Sequence, residues 1–469
     1  MEISTLSFAY VLLVVLLFYI LRKELRGTVL CLASIFYAFL VSNITGIVLV
    51  ILAILVYLLG ILLDSAKNKA VFARILSILA IASIGCSLLY FKYIKNTLLA
   101  VGYSFYCFQA ISYIADIYLN KTKAIKNPLT LFTYFAWFPK LVSGPIERAN
   151  SFGSQIARLK EVSLMDKGRV QKAVTYIFVG CFYKLVVADR ISPLVNRVFD
   201  APHIYQSMVL IMAVFLYTIQ IYCDFAGYSM IAIGISVLFG IDLKENFCSP
   251  YLSTNITDFW KRWHISLTDW LRDYIYIPMG GNRKGTTRQY VNLLIVFLIS
   301  GIWHGNGAGF LIWASLHGIF SVIYRLWIKI WSSYVRIETK SFNIISKCIG
   351  WIITFSFTAF AWLFFKAASF ENVKAFLEAL RANNRSFSLE AQLTQLEVNY
   401  TELIIAAIAL IIIFIMDIGI KRYGSLWLSL SKISLNKWCV IMWFIIVCVV
   451  IFGIYGPTFD TGRMIYMQF

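Results

Sequence analysis

The stretch Ile44–Leu63 reads ITGIVLVILAILVYLLGILL and contains no charged side chain. A helix needs about 20 predominantly apolar residues to cross the hydrocarbon layer of a membrane, which is about 30 Å thick. Backbone polar groups in lipid must be hydrogen-bonded within the spanning segment or a closed barrel. This stretch therefore predicts a transmembrane helix.

Apolar runs of this kind recur along the whole chain. Hydrophobic residues occupy 60% of the 469 positions and charged residues 14%, whereas a soluble domain has about 45–50% and about 25%. The clear runs are Leu6–Leu21, Val29–Val41, Ile44–Leu63, Ile75–Phe91, Ala173–Val187, Val209–Tyr222, Val291–Ile302, Phe310–Ile328, Ile349–Phe365, Leu403–Met416 and Val440–Ile454. Weaker runs, which suit tilted or re-entrant pieces, are Leu98–Tyr118, Leu129–Val142 and Met230–Ile241. We expect an all-α polytopic membrane protein with roughly 11–14 membrane segments in a single embedded domain over residues 1–469.

The net charge of +19 comes mainly from short loops between apolar runs, such as those around Arg22, Lys67 and Lys121. Cytoplasmic loops are enriched in Lys and Arg, so these loops are expected inside and both termini outside. The chain offers no soluble basic domain, and we expect no nucleic-acid partner.

Three stretches are too polar for lipid. Residues 144–172 mix charged and apolar side chains and predict cytoplasmic amphipathic helices on the membrane surface. Residues 367–402 predict a small helical cap on one face. Residues 242–290 combine tryptophans and tyrosines with bases and are expected on the cytoplasmic side. An interfacial helix pair explains the aromatic residues of this stretch but not its density of polar groups.

Histidine is the usual general base near neutral pH, and the chain has four histidines. His304 lies in GIWHGNG at the end of an apolar run, where an ionisable residue normally faces a cavity or a partner. The flanking glycines would let the helix break and another backbone approach. His317 is 13 residues away. On one straight helix, it would lie about 140° around the axis and about 20 Å along it, so a packing role is favoured.

Two further residues have open interpretations. In DFWKRWHISL (258–267), a continuous helix would place Trp260, His264 and Leu267 on one face. His264 is then either a second catalytic or substrate-lining group or a structural histidine. Asp224, at the end of an apolar run, is either the partner of a buried base or a helix-terminal residue in water.

Several catalytic motifs are absent from the sequence. The chain contains no G-x-S-x-G, no phosphate-binding G-x-x-x-x-G-K-[ST] and no H-E-x-x-H, and none of its nine cysteines forms a C-x-x-C pair. We therefore predict no metal site and no serine-esterase domain. Group transfer would have to use histidine as the base and a pre-activated donor.

Three blocks resemble the membrane-bound O-acyltransferase family, in its branch typified by the alginate O-acetyltransferase membrane subunit. They are YCDFAGYS (222–229) with Asn246-Phe247 and Pro250-Tyr251, then DFWKRWHISL (258–267) through WLRDY (270–274) to PMGGNR (278–283), and SGIWHG (300–305). Fainter similarity covers SFYCFQ (104–109), FPK (138–140) with SGPI (143–146), and IYMQF (465–469). The chain departs from the pattern at Met230, where relatives commonly have Asp, and at Gly309, where they tend to have Thr.

The resemblance implies a ring-like helical bundle with re-entrant pieces around a central tunnel, in a bacterial inner membrane. It assigns the catalytic roles to His304 and His264, and it places Trp303 and Asp224 in the motifs around them. No bound cofactor is implied, and the acyl donor is expected to be cytoplasmic acetyl-CoA. Candidate bases for its phosphates are Lys261, Arg262, Arg272, Arg283 and Lys284, although topology alone would also put bases there.

The implied reaction is O-acetylation of an extracytoplasmic polysaccharide or cell-wall glycan. The acyl group would pass through a separate extracytoplasmic acetyltransferase of the SGNH or esterase type, because this chain has no such domain. Three alternatives remain: D-alanyl transfer to teichoic acid, acylation of a lipid or protein, and transport. A transporter should contain paired repeats, which are not evident here, and the block at 280–283 favours the acetylating branch.

Overall fold

The computed structural model describes residues 5–94, 100–334, 340–382 and 400–455, together with residues 394 and 396. Within these ranges all regular elements are helical, so the predicted all-α class is confirmed. The C-terminal IYMQF lies outside the described residues, as do residues 383–393, 395 and 397–399 of the polar stretch before Tyr400.

We number the α-helices of the described residues in chain order. The first ten are α1 (Thr5–Ile20), α2 (Arg26–Val41), α3 (Asn43–Ser65), α4 (Ala70–Tyr93), α5 (Tyr103–Tyr118), α6 (Pro128–Ala136), α7 (Ala149–Ile156), α8 (Lys167–Cys181), α9 (Asp189–Asp200) and α10 (Ser207–Leu238). The others are α11 (Ile256–Arg262), α12 (Ile265–Leu271), α13 (Thr286–His304), α14 (Ala308–Tyr334), α15 (Lys340–Ala367), α16 (Phe370–Ala382), α17 (Tyr400–Tyr423), α18 (Leu426–Leu430) and α19 (Leu435–Phe452). Single π-helical turns at Phe182–Ala188 and Arg272–Tyr276 follow α8 and α12.

Nine helical segments of the described chain are long and apolar enough to cross a membrane. They are Lys23–Val41, Asn43–Ser65, Ala70–Tyr93, Lys167–Asp200, Ser207–Leu238, Ala308–Ile330, Ile344–Ala367, Tyr400–Tyr423 and Leu435–Phe452. The shorter apolar helix Leu6–Ile20 and the helices α5, α6 and α13 account for other predicted runs. The membrane class is thus confirmed, whereas the central tunnel stays a prediction.

One expectation about these segments was wrong. The runs Val209–Tyr222 and Met230–Ile241 are not separate pieces, because both fall largely within the single 32-residue helix α10. Asp224 interrupts the apolar pattern between them, but it is paired inside the protein with Lys184 and does not end the helix.

The residues group into two compact units, and α8 and α10 each contribute to both. The first unit holds the described residues of Met1–Gly180 and Tyr228–Glu245, and the second holds those of Cys181–Gly227 and Asn246–Ile465. The single membrane-embedded domain predicted from the sequence stays a prediction.

In the first unit, a basic residue has a structural role that loop topology does not explain. Arg26 is only 4% exposed at the start of α2. Its guanidinium donates to the carbonyl oxygens of Leu159 and Val162 at 2.9 and 2.8 Å, and it lies over the ring of Phe18. Five donors in a planar fork allow one arginine to satisfy several buried carbonyls at once. Arg26 thereby ties α2 to the polar stretch before α8.

That polar stretch contains helices, as predicted, but part of it is buried. Glu147 is 5% exposed, and its carboxylate accepts the backbone N–H of Lys244 at 2.6 Å. A buried carboxylate requires such a donor because an unsatisfied polar group in the interior is costly. The placement of α7 on the membrane surface stays a prediction.

Candidate active site

The chain reverses direction immediately after His304. Helix α13 ends at this histidine and α14 begins at Ala308. The N–H of Gly309 donates to the carbonyl of Ala368 at 2.7 Å, and a Cβ at Gly309 would lie 2.3 Å from the carbonyl oxygen of Phe364. The predicted helix break and close backbone approach are therefore confirmed. The same contact explains why this chain has glycine where its resemblance leads one to expect threonine.

His304 lies in a pocket of aromatic rings and is 3% exposed. Its imidazole centroid is 4.6 Å from that of Trp303, 5.0 Å from that of Trp313 and 5.1 Å from that of Phe365. These rings exclude bulk water from the imidazole. A water-excluded site strengthens electrostatic interactions with a bound reactant and suppresses hydrolysis of a thioester.

The prediction of a continuous helix through His264 was wrong. Helix α11 ends at Arg262, α12 starts at Ile265, and His264 between them has φ 42° and ψ 54°, in the left-handed region. The preceding motif explains this break. The N–H of Cys248 donates to the carbonyl of Arg262 at 3.0 Å, and that of Ile265 donates to the carbonyl of Asn246 at 2.9 Å.

A non-glycine residue in the left-handed region is strained and persists only when its surroundings hold it. Here the segment from Asn246 to Cys248 supplies the hydrogen bonds that α11 and α12 lose at their junction. The motif residue Asn246 and the nearby Cys248 thus position His264. Such strain at a single histidine is typical of a functional site.

His264 is 1% exposed, and its ring packs against residues from two other helices. The ring of Phe225 on α10 lies edge-on at 4.6 Å, and the indole of Trp303 on α13 lies at 6.3 Å. Burial lowers the pKa of His264 to about 3, so its imidazole is neutral at physiological pH. Because Trp303 also contacts His304, the two predicted catalytic histidines both contact the same indole ring.

His317 is closer to this site than the sequence suggested. The two histidines do not lie on one straight helix, because the reversal at residues 305–307 separates α13 from α14, so the predicted distance was wrong. His317 and His304 both contact Trp313, at 5.2 and 5.0 Å. Trp260, Phe297 and Phe357 enclose the His317 ring further, and its nitrogens have no hydrogen-bond partner among the described residues.

Asp224 is the partner of a buried base and not a water-exposed helix end. It is 1% exposed in the middle of α10, and its carboxylate lies 2.6 Å from the ammonium of Lys184. The same ammonium pairs with Asp189 at 2.7 Å. Sequence reasoning missed both partners, although charges inside Lys167–Asp200, an apolar segment long enough to span, were a usable signal.

A second buried acid was also missed. Asp417 follows the apolar run Leu403–Met416 and is 4% exposed. Its carboxylate accepts the hydroxyls of Tyr222 at 2.8 Å and Tyr183 at 3.2 Å. Tyr222 begins the first resemblance block, so this network joins α17 to that motif.

The predicted donor-binding bases occupy different places. Lys261 and Arg272 line a cavity of about 320 Å³ between α11, α12, α13 and α14. Arg325, which sequence reasoning missed, lines the same cavity, and its Nε has no hydrogen-bond partner among the described residues. The cavity walls are mainly apolar and include Trp260 and Phe297, the two residues that also enclose His317.

The other predicted bases lie outside this cavity. Arg262 donates to Asp258 at 2.9 Å and to the carbonyl of Cys248 at 3.2 Å. Arg283 and Lys284 are exposed in the turn before α13. Arg272, within the cavity, also pairs with Asp269 at 2.7 Å and Asp273 at 2.9 Å.

Comparison with known proteins identifies the fold and the motifs together. The model of the membrane-bound O-acyltransferase family matches residues 123–365, just over half of the chain and including both His264 and His304. The chain belongs to this family. It is a multi-pass membrane protein of this family, and it is similar to bacterial proteins named as polysaccharide O-acetylases.

Three kinds of relative are similar to this chain. The probable alginate O-acetylase AlgI of Pseudomonas aeruginosa is 31% identical over 87% of the chain and 79% of its own length. The peptidoglycan O-acetyltransferase of Helicobacter pylori is 33% identical over 61% of the chain and 57% of its own length. The teichoic acid D-alanyltransferase of Bacillus subtilis is 29% identical over 59% of the chain and 71% of its own length. Some matches are shorter: the chain spans 52% of the AlgI protein of Pseudomonas fluorescens.

Proposed function

We propose that this acyltransferase takes an acetyl group from cytoplasmic acetyl-CoA and passes it across the membrane for O-acetylation of an extracytoplasmic glycan. The observation that carries the proposal is the placement of His304. It is a buried imidazole at a helix reversal, and it shares the indole of Trp303 with His264. Acyl transfer to a hydroxyl needs such a base in a water-poor site.

In this proposal His304 acts as the general base. His304 takes the proton from the hydroxyl group that will receive the acetyl group. At the same time, the oxygen of that hydroxyl attacks the thioester carbonyl. The new C–O bond forms, the C–S bond breaks, and the proton passes from His304 to the leaving thiolate to give free CoA. His264, which is neutral at physiological pH, serves as a hydrogen-bonding or positioning group beside Trp303.

The donor is proposed to enter the cavity of about 320 Å³ that Lys261, Arg272 and Arg325 line. Cationic side chains suit the phosphates of CoA, because charge-assisted hydrogen bonds to phosphate are strong. Apolar walls suit the less polar arm that carries the thioester. One residue of the cavity lining, Ser300, lies one helical turn before His304 on α13.

The final acceptor is proposed to be a polysaccharide or cell-wall glycan, reached through a separate extracytoplasmic transferase of the SGNH or esterase type. The similarity to an alginate O-acetylase and a peptidoglycan O-acetyltransferase supports a glycan. The absence of a nucleophilic-serine motif from the sequence supports a second protein.

D-alanyl transfer is the second candidate, because a teichoic acid D-alanyltransferase is also similar to this chain. The experiment that tests the proposal is incubation of purified protein with acetyl-CoA or with a D-alanyl thioester, each radiolabelled in the acyl group, in the presence of an extracytoplasmic extract that supplies the partner transferase and the glycan. Release of free CoA and label transfer from acetyl-CoA alone would support the proposal. Turnover of the D-alanyl donor alone would contradict it.

A further inference from the structure

A polar groove in the first unit has no part in the proposed reaction. Its volume is about 750 Å³, and its lining includes Lys67, Lys121, Lys123, Asn150 and Ser154. The loop after α3 supplies Lys67, and the loop after α5 supplies the other two lysines. Two loops that are far apart in sequence therefore bring three ammonium groups to one concave surface, where α7 adds the hydrogen-bonding side chains of Asn150 and Ser154.

The two ion pairs at the groove involve lysine side chains that are partly exposed to solvent. Lys67 pairs with Asp64 at 2.7 Å, and Lys121 lies 3.9 Å from Asp116. The side chains of Lys67 and Lys121 are 31% and 54% exposed. Such exposed pairs contribute little to stability, so an anion of higher charge density can displace the carboxylates. Lys123 is exposed and forms no ion pair with any described residue.

The groove lies at the level expected for lipid headgroups. Helix α3 has 23 residues and is therefore about 34 Å long at about 1.5 Å per residue. The hydrocarbon layer is only about 30 Å thick, so a residue just beyond the end of α3 reaches the headgroup region. Lys67 is two residues past that end. Tyr118 and Leu119, just before Asn120 in the groove, are exposed apolar side chains that suit the lipid boundary.

We propose that this groove binds the phosphate of an anionic lipid headgroup, such as phosphatidylglycerol. The three lysines contact the phosphodiester, and Asn150 and Ser154 supply hydrogen bonds to the headgroup hydroxyls. Juxtamembrane lysines are attracted to anionic lipid, and amide and hydroxyl groups add directional contacts. The recognised chemistry is a phosphate ester, so the nucleotide phosphates of a soluble ligand are the other possible source.

The test is native mass spectrometry of the detergent-purified full chain, titrated with phosphatidylglycerol, phosphatidylcholine or adenosine 3′,5′-bisphosphate. We expect one phosphatidylglycerol to bind in preference to phosphatidylcholine. Lys123→Glu should weaken this binding at least about tenfold, since it removes a direct charge-assisted contact to the phosphate, and Lys126→Glu should weaken it much less. Lys126→Glu is the matched control, because it makes the same charge change in the same loop at an exposed residue outside the lining.

Equal loss in both variants would overturn the site, because the effect would then be long-range charge and not contact. Binding of the bisphosphate without preference for phosphatidylglycerol would overturn the lipid assignment and make the ligand a soluble phosphate. The readout is binding and not turnover, so it does not depend on the outcome of the acetyl-CoA experiment. Normal melting of Lys123→Glu in the same detergent verifies that the variant is folded.

Discussion

The imidazole of His264 and the indole of Trp303 lie with their ring centroids 6.3 Å apart, although the two residues belong to different motifs. The same indole lies 4.6 Å from the imidazole of its neighbour His304. The break between α11 and α12 and the reversal after α13 therefore meet at one tryptophan. From this contact we predict that Trp303 positions the two histidines.

Trp303→Ala should lower the rate of acetyl transfer about 100-fold, because small displacements of catalytic groups have effects of that size. Trp303→Phe retains an aromatic face and should lose less activity. The rates of thioester cleavage by the purified variants measure both effects. Trp443, which is 67% exposed on α19, provides the control substitution Trp443→Ala. Equal rates for Trp303→Ala and the control would refute the positioning role.

Lys184→Met should destabilise the protein strongly. The Lys184 side chain is 12% exposed, and those of Asp189 and Asp224 are 4% and 2% exposed. Removing one partner of a buried ion pair leaves uncompensated charge and costs about 3–5 kcal/mol. The free energy of unfolding in mixed micelles, measured by SDS titration, tests this.

The matched control is Lys172→Met. Lys172 pairs with Asp242 at the same distance of 2.6 Å, but the two side chains are 26% and 68% exposed. An exposed pair contributes about 0–1 kcal/mol, so this variant should unfold almost like the wild type. Similar losses in both variants would mean that the buried cluster has no special stabilising role.

The burial of His264 predicts a dependence of stability on pH. Its folded pKa of about 3 lies below the ordinary value of 6.5. Below pH 6.5 the unfolded chain binds a proton that the folded chain does not, so stability is lost as the pH falls. Between pH 7 and 5.5 this amounts to about 1 kcal/mol.

His264→Asn should remove that contribution while suiting the left-handed backbone, which asparagine adopts more readily than most residues. SDS titrations at pH 7 and 5.5 compare the variant with the wild type and with His203→Asn, a change at an exposed histidine. The stability loss should shrink only in His264→Asn. An unchanged loss in this variant would argue against a neutral, buried His264.

Arg325→Glu should weaken binding of a non-hydrolysable acetyl-CoA analogue more than Arg283→Glu does. Arg325 lines the cavity beside Lys261, whereas Arg283 is exposed outside it. Loss of a charge-assisted contact to phosphate lowers affinity about tenfold or more. Calorimetric titration of detergent-purified variants with matching thermal stability measures the difference. A larger loss in Arg283→Glu would place the donor at the turn before α13, as the sequence also allowed.

Much of the fold follows from the sequence because lipid imposes a simple rule on apolar length. The run at residues 44–63 became α3, and the glycines around His304 marked a real break. The motifs also singled out His264 and His304, and the catalytic roles of both stay predictions. The local sequence could not predict the partner of a buried charged side chain. Lys184, for example, is 40 residues away from its partner Asp224.

Two failures share a cause. The sequence of residues 258–267 favours one helix, and its break at His264 depends on hydrogen bonds from Asn246 and Cys248 elsewhere in the chain. The prediction that His317 lies far from His304 was wrong because it treated α13 and α14 as one straight helix. Tertiary contacts determine both the break at His264 and the reversal between α13 and α14. The periodicity of a helical sequence does not reveal such contacts.

The central claim is that His304 is the base for acyl transfer from acetyl-CoA. Its most direct test is the transfer of radiolabelled acetyl from acetyl-CoA to an added extracytoplasmic extract by purified His304→Ala, compared with the wild type and with His203→Ala. The account predicts that transfer by His304→Ala is lost, a decrease of at least about 100-fold, while its melting temperature and membrane insertion match those of the control. Acetyl transfer by a folded His304→Ala protein at the wild-type rate would contradict the account.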